Sequence, residues 1–206
     1  MKILIFDTET TGLPLNYRGS IYDSNNWPHI VQLSYILFDC KEKKIIANIN
    51  RIIKVDTIPK SSTLIHNITE QISKEHGVNI SDALKEFNIY AKQANKLVAH
   101  NINFDKKMII VECIRNKIMS IFTKQPSLYC TMKNATEICA IEKTYKDGTK
   151  YFKYPTLSEL HNKLFNSIPN GTHNAQNDII ICLRCYFYLI YKIDLLHSVD
   201  IIKSIL

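Results

Sequence analysis

The sequence predicts an α/β fold built on one sheet of mixed strand direction. Three β-prone segments come first, at 3–6, 30–39 and 45–55, and the alternating pattern of the second and third predicts a hairpin. Helical patterns then alternate with two short apolar strands, at 97–99 and 127–130. Hairpin strands pair antiparallel, whereas strands separated by helices pair in parallel. Both directions are therefore expected in the same sheet.

Length and composition are consistent with a single domain over residues 1–206. Hydrophobic residues make up 46% of the chain and charged residues 22%, which is ordinary for a globular protein and argues against disorder. No apolar stretch is long enough to cross a bilayer, and the N-terminus lacks the basic and apolar regions of a signal peptide. We expect a cytoplasmic protein with no membrane partner. The formal net charge of +7 suits a polyanionic partner.

The helical part of the chain begins near Ser61. Thr69 is a predicted cap for a helix that runs through Ile72, and Asn103 is a predicted cap for a later one. Further helices are expected at 80–94, 103–114, 132–141, 156–164, 175–191 and 195–206. Asp147-Gly148 between β-prone flanks predicts a small hairpin or flap at 145–154. The turn-rich segment 15–28 is expected to be an ordered loop.

The six cysteines lie in apolar contexts. Cys182-x-x-Cys185 is the only close pair, and no second Cys/His pair is placed to complete a zinc site. We therefore expect buried, reduced thiols rather than metal or redox sites.

The end of the first strand carries two carboxylates. Asp7 and Glu9 follow an apolar run, and residues two apart on a strand point to the same face, about 6–7 Å apart. Two acids at the end of a buried strand repel each other and resist desolvation. A bound cation removes both costs, and carboxylate oxygens suit Mg²⁺ or Mn²⁺. For this tripeptide alone, the alternative is a strand that runs out into solvent.

Two further acidic clusters follow strand ends or turns. Asp105 falls in the first turn of a helix after a short apolar strand, a position where α/β sheets place ligands. His173 precedes Asp178 by five residues, so an ideal helix turns about 140° beyond one revolution between them. If both serve one site, His173 must lie in the loop before the helix and Asp178 in its first turn. Taken singly, an acid in a first turn is ordinary helix-dipole complementation, and His173 could simply pack.

Together the three clusters resemble the three exonuclease motifs of the DEDDh 3′–5′ exonucleases, the family of the bacterial replicative proofreading subunit. The motifs are Phe-Asp-Thr-Glu-Thr-Thr-Gly-Leu-Pro (6–14), Ala-His-Asn-x-x-Phe-Asp (99–105) and His-Asn-Ala-x-x-Asp (173–178). Segments 27–34, 65–69, 129–133 and 155–160 also look like segments of that family. The resemblance therefore spans nearly the whole chain.

Two positions refine the resemblance. Asn174 stands where the tyrosine branch of the family carries Tyr, so the placement of His173 favours the histidine branch. Asn67 stands where relatives usually carry Gly, and Asn tolerates the same left-handed backbone.

The resemblance implies a ribonuclease H-like fold, with a five-stranded mixed sheet and helices on both sides. It also implies two Mg²⁺ or Mn²⁺ ions held by Asp7, Glu9, Asp105 and Asp178. Asp7 would bridge the ions, Glu9 and Asp178 would bind the nucleophile-side ion, and Asp105 would bind the other through water. His173 would be the general base.

Substrate contacts are also carried over from the resemblance. They are assigned to Thr10, Thr11 and Leu13, and more weakly to His66, Asn101 and Phe104. The aromatic and lysine-rich flap, with Lys146, Lys150, Lys153, Tyr151 and Phe152, is expected either to contact the substrate strand or to be a solvated loop.

The expected function is hydrolysis of nucleotides from the 3′ end of DNA, at single-stranded or frayed ends, in proofreading or repair. The alternatives are a 3′–5′ exoribonuclease and a non-catalytic, nucleic-acid-binding polymerase accessory subunit. Expected partners are DNA 3′ ends, with RNA and a DNA polymerase as further candidates. A free-standing enzyme is the default expectation.

Overall fold

The computed structural model describes residues 1–205, with side chains for residues 1–203, and its centre is a five-stranded sheet. The strands are β1 (Lys2–Thr10), β2 (Ile30–Asp39), β3 (Lys44–Ile52), β4 (Lys96–Ala99) and β5 (Leu128–Cys130), in the order β3-β2-β1-β4-β5. β1, β2 and β3 pair antiparallel, whereas β4 and β5 run parallel to β1. The predicted sheet of mixed direction is confirmed.

Helices cover both faces of this sheet. They are α1 (Lys60–His66), α2 (Glu70–His76), α3 (Ile80–Ala91), α4 (Ile102–Arg115), α5 (Thr131–Asn134), α6 (Thr136–Cys139), α7 (Leu157–Phe165) and α8 (Ala175–Tyr191). Leu4 and Phe6 lie in one apolar cluster with residues of α3 and α4, whereas Ile3 and Ile5 lie in a second cluster with α8. Alternation along β1 therefore sends its side chains into two cores. Among the described residues, no helix is both long and apolar enough to span a bilayer.

The predicted flap is a two-stranded antiparallel hairpin. Its strands are β6 (Glu142–Thr144) and β7 (Lys150–Phe152), and every residue of both strands is exposed. After it, Thr156 begins α7 with a capping box, in which its side chain accepts from the Glu159 N–H. Such a cap contributes about 1 kcal/mol to a helix.

Three helix predictions need correction. α4 is capped at Asn101 and not at Asn103, because Asn101 takes a left-handed backbone (φ 64°) directly after β4. The helix predicted at 132–141 is two short helices, interrupted at Ala135. The helix predicted at 195–206 is two 3₁₀ segments, Leu195–His197 and Asp200–Ile205, separated at Ser198. Residue 206 lies outside the described residues.

Candidate active site

β1 delivers two carboxylates to the face that α8 covers. Ile3 and Ile5 pack in the cluster of α8, and Asp7 and Glu9 continue the same alternation toward the end of the strand. Asp178 lies in the first turn of α8. One carboxylate oxygen from each of these three acids lies within 4.8 Å of the others. The sequence motifs at 6–14 and 173–178 are therefore brought together in space.

Asp105 approaches from the opposite face of the sheet. It lies in the first turn of α4 and is 2% exposed. Its Oδ1 accepts hydrogen bonds from the Thr8 N–H (3.0 Å) and the Thr8 hydroxyl (2.8 Å). Thr8 alternates with Asp7 along β1, so Asp105 is fixed beside the three-acid cluster but is not part of it. Nothing in the sequence pattern marked Thr8 for this task.

The four acids disfavour one another's charge. Burial, followed by the charges of Asp105, Asp178 and Glu9, raises the pKa of Asp7 well above its usual range. Burial and the same repulsion raise the pKa of Glu9 to about 8. Burial likewise raises the pKa values of Asp105 and Asp178 to about 7. Each shift is a cost of holding the carboxylate ionised without a counter-ion.

A divalent cation fits this arrangement. Asp178 Oδ1 is buried and has no hydrogen-bond partner within the described part of the chain. Unpaired buried carboxylate oxygens are costly, and oxygen ligands are what Mg²⁺ and Mn²⁺ prefer. Asp7, Glu9 and Asp178 together therefore form a candidate metal centre.

His173 lies in the loop before α8, as the five-residue spacing required. Its backbone N–H donates to Asp178 Oδ2 at 3.2 Å, and its side chain is exposed. His173 adopts a left-handed backbone (φ 66°), a conformation that His tolerates better than most residues. Gly171 is also left-handed (φ 67°), and a Cβ there would meet the side-chain amide of Asn177. Asn177 Nδ2 also donates to the Gly171 carbonyl (2.9 Å), which ties the loop to the first turn of α8.

A cluster of four amide side chains ties this loop to the sheet. Gln32, 1% exposed in the middle of an apolar strand, accepts from the Ala175 N–H (3.2 Å) and donates to Asn50 Oδ1 (2.9 Å). Asn50 donates in turn to Gln176 Oε1 (3.0 Å). Asn174 Oδ1 caps α8 by accepting from the Gln176 N–H and lies 3.5 Å from Gln32 Nε2. We call Gln32, Asn50, Asn174 and Gln176 the amide clamp. Its one visible signal in the sequence was a glutamine within an apolar strand.

Four of the six predicted substrate residues line one cavity of about 210 Å³. They are Thr10, Leu13, His66 and Phe104, and Glu9 borders the same space. Thr11 does not line it, because its N–H donates to the His29 carbonyl (2.8 Å) and its hydroxyl accepts from the His29 N–H (2.9 Å). Asn101 does not line it either and is the exposed N-cap of α4.

His100 has a structural position within the second motif. Its Nε2 donates to the Pro155 carbonyl (3.0 Å), and its Nδ1 lies 3.0 Å from Thr131 Oγ1. Burial lowers the pKa of His100 to about 4, which favours the neutral ring that these contacts need. His100 therefore fastens the segment that follows the β6–β7 hairpin to the end of β4.

The cysteines are free, as expected, and five of them are buried. The exception is Cys40, which is partly exposed. Burial raises the pKa of the Cys182 and Cys185 thiols, which keeps both protonated.

Comparison with solved structures identifies the fold. Exonuclease I of E. coli in complex with a dA16 oligonucleotide is 18% identical, with a TM-score of 0.64 over 91% of this chain and 40% of its own. Exonuclease I from Methylocaldum szegediense is 17% identical, with a TM-score of 0.65 over 93% and 41%. Exonuclease X in complex with 5′ overhanging duplex DNA is 22% identical, with a TM-score of 0.55 over 97% and 99%. The fold is the ribonuclease H-like fold of these proteins.

The chain spans about two fifths of the length of the Exonuclease I structures. No curated protein sequence matches it significantly. The sequence profile of the family named RNase_T, described as Exonuclease, matches residues 4–186. That match covers most of the chain and includes all three acidic motifs. The chain therefore belongs to the DEDDh-type 3′–5′ exonuclease family.

Proposed function

We propose that this chain is a single metal-dependent exonuclease domain that removes nucleotides from the 3′ end of DNA. The observation that carries the proposal is the meeting of Asp7, Glu9 and Asp178 within 4.8 Å, in a member of this nuclease family. The DNA and oligonucleotide complexes of Exonuclease X and Exonuclease I favour DNA as the polymer. Single-stranded or frayed ends are the proposed substrates, in a proofreading or repair role.

The acids divide into ligands of two Mg²⁺ or Mn²⁺ ions. Asp7 would be shared between the two ions, Glu9 and Asp178 would hold the ion on the nucleophile side, and Asp105 would serve the other through water. When bound, the ions orient the attacking water, neutralise the scissile phosphate and stabilise the leaving 3′ oxygen. The two Thr8 hydrogen bonds hold Asp105 in place for this task.

His173 is the proposed general base. Its backbone hydrogen bond to Asp178 keeps it next to one of the ligands, and its exposed ring is accessible to substrate. A ring nitrogen takes the proton of the water that attacks phosphorus, because neutral imidazole is available near physiological pH. The P–O3′ bond then breaks, and a 5′-mononucleotide is released.

The cavity beside Glu9 is the proposed site for the terminal nucleoside. Leu13 is 70% exposed and Ile65 is 56% exposed, so an apolar surface at the cavity is open for a base. Thr10 donates its hydroxyl to the Gly12 carbonyl (2.6 Å), which fixes the turn that presents Leu13. The base is held by apolar contact, so we expect little discrimination among the four bases.

Digestion of 5′-labelled oligonucleotides tests the proposal. DNA and RNA strands of the same sequence are incubated with Mg²⁺ or with a chelator, and Asp7→Asn serves as the inactive variant. We expect a ladder that shortens from the 3′ end of DNA, only with Mg²⁺. Faster loss of RNA would make the protein an exoribonuclease. Binding without cleavage of either strand would make it a non-catalytic accessory subunit.

A further inference from the structure

The β6–β7 hairpin presents two chemically different faces. In its antiparallel register Lys143 lies opposite Tyr151, and Glu142 lies opposite Phe152. Directly opposed residues share a face and successive residues alternate. Lys143 and Tyr151 therefore share one face, which we call the tyrosine face, whereas Glu142 and Phe152 share the other.

The tyrosine face carries a pair of stacked rings in solvent. Tyr145 and Tyr151 have ring centroids 4.1 Å apart and planes 23° apart. Tyr145 is 55% exposed and Tyr151 is 36% exposed, so part of each residue is open to solvent. Stacked aromatic rings at a surface offer a flat, apolar plane to another π system.

The lysines of the hairpin are not equivalent. Lys150 pairs with Glu142 (2.7 Å) and Lys153 pairs with Glu159 (2.6 Å). Lys143 and Lys146 have no ion pair with any side chain of residues 1–203, and both are exposed. The unpaired positive charges are therefore Lys143, on the tyrosine face, and Lys146, in the turn between β6 and β7. On the opposite face, the charge of Lys150 is balanced by Glu142.

The root of the hairpin lies at the end of the sheet that carries the acids. Lys153 N–H donates to the Ile141 carbonyl (3.0 Å) and closes the hairpin. The Pro155 carbonyl is held by His100, which directly follows β4. Asp105 comes five residues later, in the first turn of α4. The root of the hairpin and the carboxylates are therefore at the same end of the sheet.

We propose that the tyrosine face binds the single-stranded nucleic acid that lies upstream of the 3′ terminus, with bases stacked on Tyr145 and Tyr151 and phosphates near Lys143 and Lys146. Aromatic stacking combined with a positive surface is the common chemistry of single-strand binding that is not sequence-specific. The inference rests on the proposed function for its substrate, and it adds a second contact region outside the terminal-nucleotide cavity.

Four variants separate this role from others. Tyr145→Ala/Tyr151→Ala removes the stack, and Tyr145→Phe/Tyr151→Phe keeps it. Lys143→Ala/Lys146→Ala removes the unpaired charges. Lys41→Ala/Lys44→Ala is the control, and it removes two charges from the turn between β2 and β3. This turn lies at the opposite end of the sheet from the acids, because Lys44 is opposite Asp39 in the strand register and Asp39 is opposite Lys2, the first residue of β1.

The first measurement is fluorescence anisotropy of a labelled oligo-dT of about 20 nucleotides in Ca²⁺, which suppresses turnover. We expect the Tyr→Ala pair to weaken binding about tenfold or more, and the Tyr→Phe pair to bind as the unsubstituted protein does. The Lys143→Ala/Lys146→Ala pair should reduce the slope of log affinity against log salt by about 1.4, because each strand phosphate contact contributes about 0.7. The far lysine pair should leave this slope unchanged.

The second measurement is hydrolysis of thymidine 5′-(4-nitrophenyl phosphate), which is too small to reach the hairpin. All four variants should hydrolyse it at the unsubstituted rate, whereas the Tyr→Ala pair should lose kcat/KM on the long strand. Unchanged oligo-dT affinity in the Tyr→Ala pair, or equal salt slopes for the two lysine pairs, would overturn the inference. If the unsubstituted protein hydrolyses neither substrate, the proposed function fails, and the anisotropy experiment still decides the role of the hairpin.

Discussion

Asp7 lies among three other acids, and burial together with their charges raises its pKa well above its usual range. Burial also raises the pKa values of Glu9 and Asp178. An isolated buried charge is strongly unfavourable, so such a group is either protonated or matched by a cation. The residues that build the candidate metal centre therefore weaken the metal-free fold.

Asp7→Asn tests this opposition between function and stability. We expect exonuclease activity to disappear, because the shared ligand is lost, while the metal-free protein becomes more stable as repulsion is relieved. A gain of about 1 kcal/mol would raise Tm by about 2–4 °C in a chain of this size. Thermal unfolding in a chelator at mildly alkaline pH measures the gain. A lower Tm would show that Asp7 has a stabilising partner.

His173→Asn separates the base from the backbone at that position. Asn keeps the left-handed conformation that His173 adopts, whereas Ala would add strain. Loss of a general base should lower kcat by about 10²–10⁴, with Mn²⁺ affinity nearly unchanged. Stopped-flow turnover and calorimetric Mn²⁺ titration measure the two quantities. Loss of Mn²⁺ binding would instead make His173 a ligand or a scaffold residue.

At the level of elements, the amide clamp sets where α8 begins and hence where Asp178 points. Gln32→Leu keeps the side-chain volume but removes the acceptor of the Ala175 N–H. Supporting contacts of this kind typically alter metal affinity by about 10–100-fold. We therefore expect Mn²⁺ affinity to fall by about tenfold, as measured by calorimetry.

Ser34→Ala is the matched control for the clamp. Ser34 is buried in the same strand and donates to the same Asn50 oxygen (2.8 Å), but within residues 1–203 its hydroxyl has no hydrogen bond to α8. We expect it to lower Tm slightly and to leave Mn²⁺ affinity close to that of the unsubstituted protein. Equal losses in the two variants would mean that the clamp acts through general stability only.

Elements with strong local signals were predictable from the sequence. The bounds of β2 and α8 match the predicted 30–39 and 175–191, because long apolar patterns mark both. Thr69 caps α2 as predicted, because its side chain accepts from the Ile72 N–H. The α-helix predicted for the C-terminal segment was wrong, because apolar spacing cannot distinguish an α-helix from short 3₁₀ turns.

The candidate site was predictable only in part. Acid and histidine spacing, read with the family resemblance, indicated which side chains should meet, but the partners that position them are distant in sequence. Thr8 and Asp105 are 97 residues apart, and Gln32 and Ala175 are 143 apart. No local pattern encodes such a pair, because it depends on how strands and helices pack. The engagement of Thr11 by His29 was missed for the same reason.

At the scale of the whole molecule, two groups of residues make stability depend on pH in opposite directions. Burial lowers the pKa values of His66, His100 and His161, so the folded state holds fewer protons than the unfolded state below about pH 6.5. This contribution makes stability rise with pH up to that point. The acids of the site have raised pKa values in the folded state, so the folded state holds more protons and stability falls as pH rises.

The two contributions separate above about pH 6.5, where histidines are mostly neutral in both states. The pKa values of about 7 for Asp105 and Asp178 and about 8 for Glu9 leave protons to be lost there. We expect the metal-free protein to lose stability from about pH 6.5 to about pH 8.5, since each extra proton held by the folded state contributes about 1.4 kcal/mol per pH unit.

Mg²⁺ replaces those protons, so the Tm increase that it causes should be larger at the higher pH. Thermal unfolding in chelator and in Mg²⁺ across this range measures both slopes, with Asp7→Asn/Asp178→Asn as the variant whose metal-free slope should flatten. A metal-free Tm that rises with pH across this interval would mean that the acids are already ionised and otherwise paired.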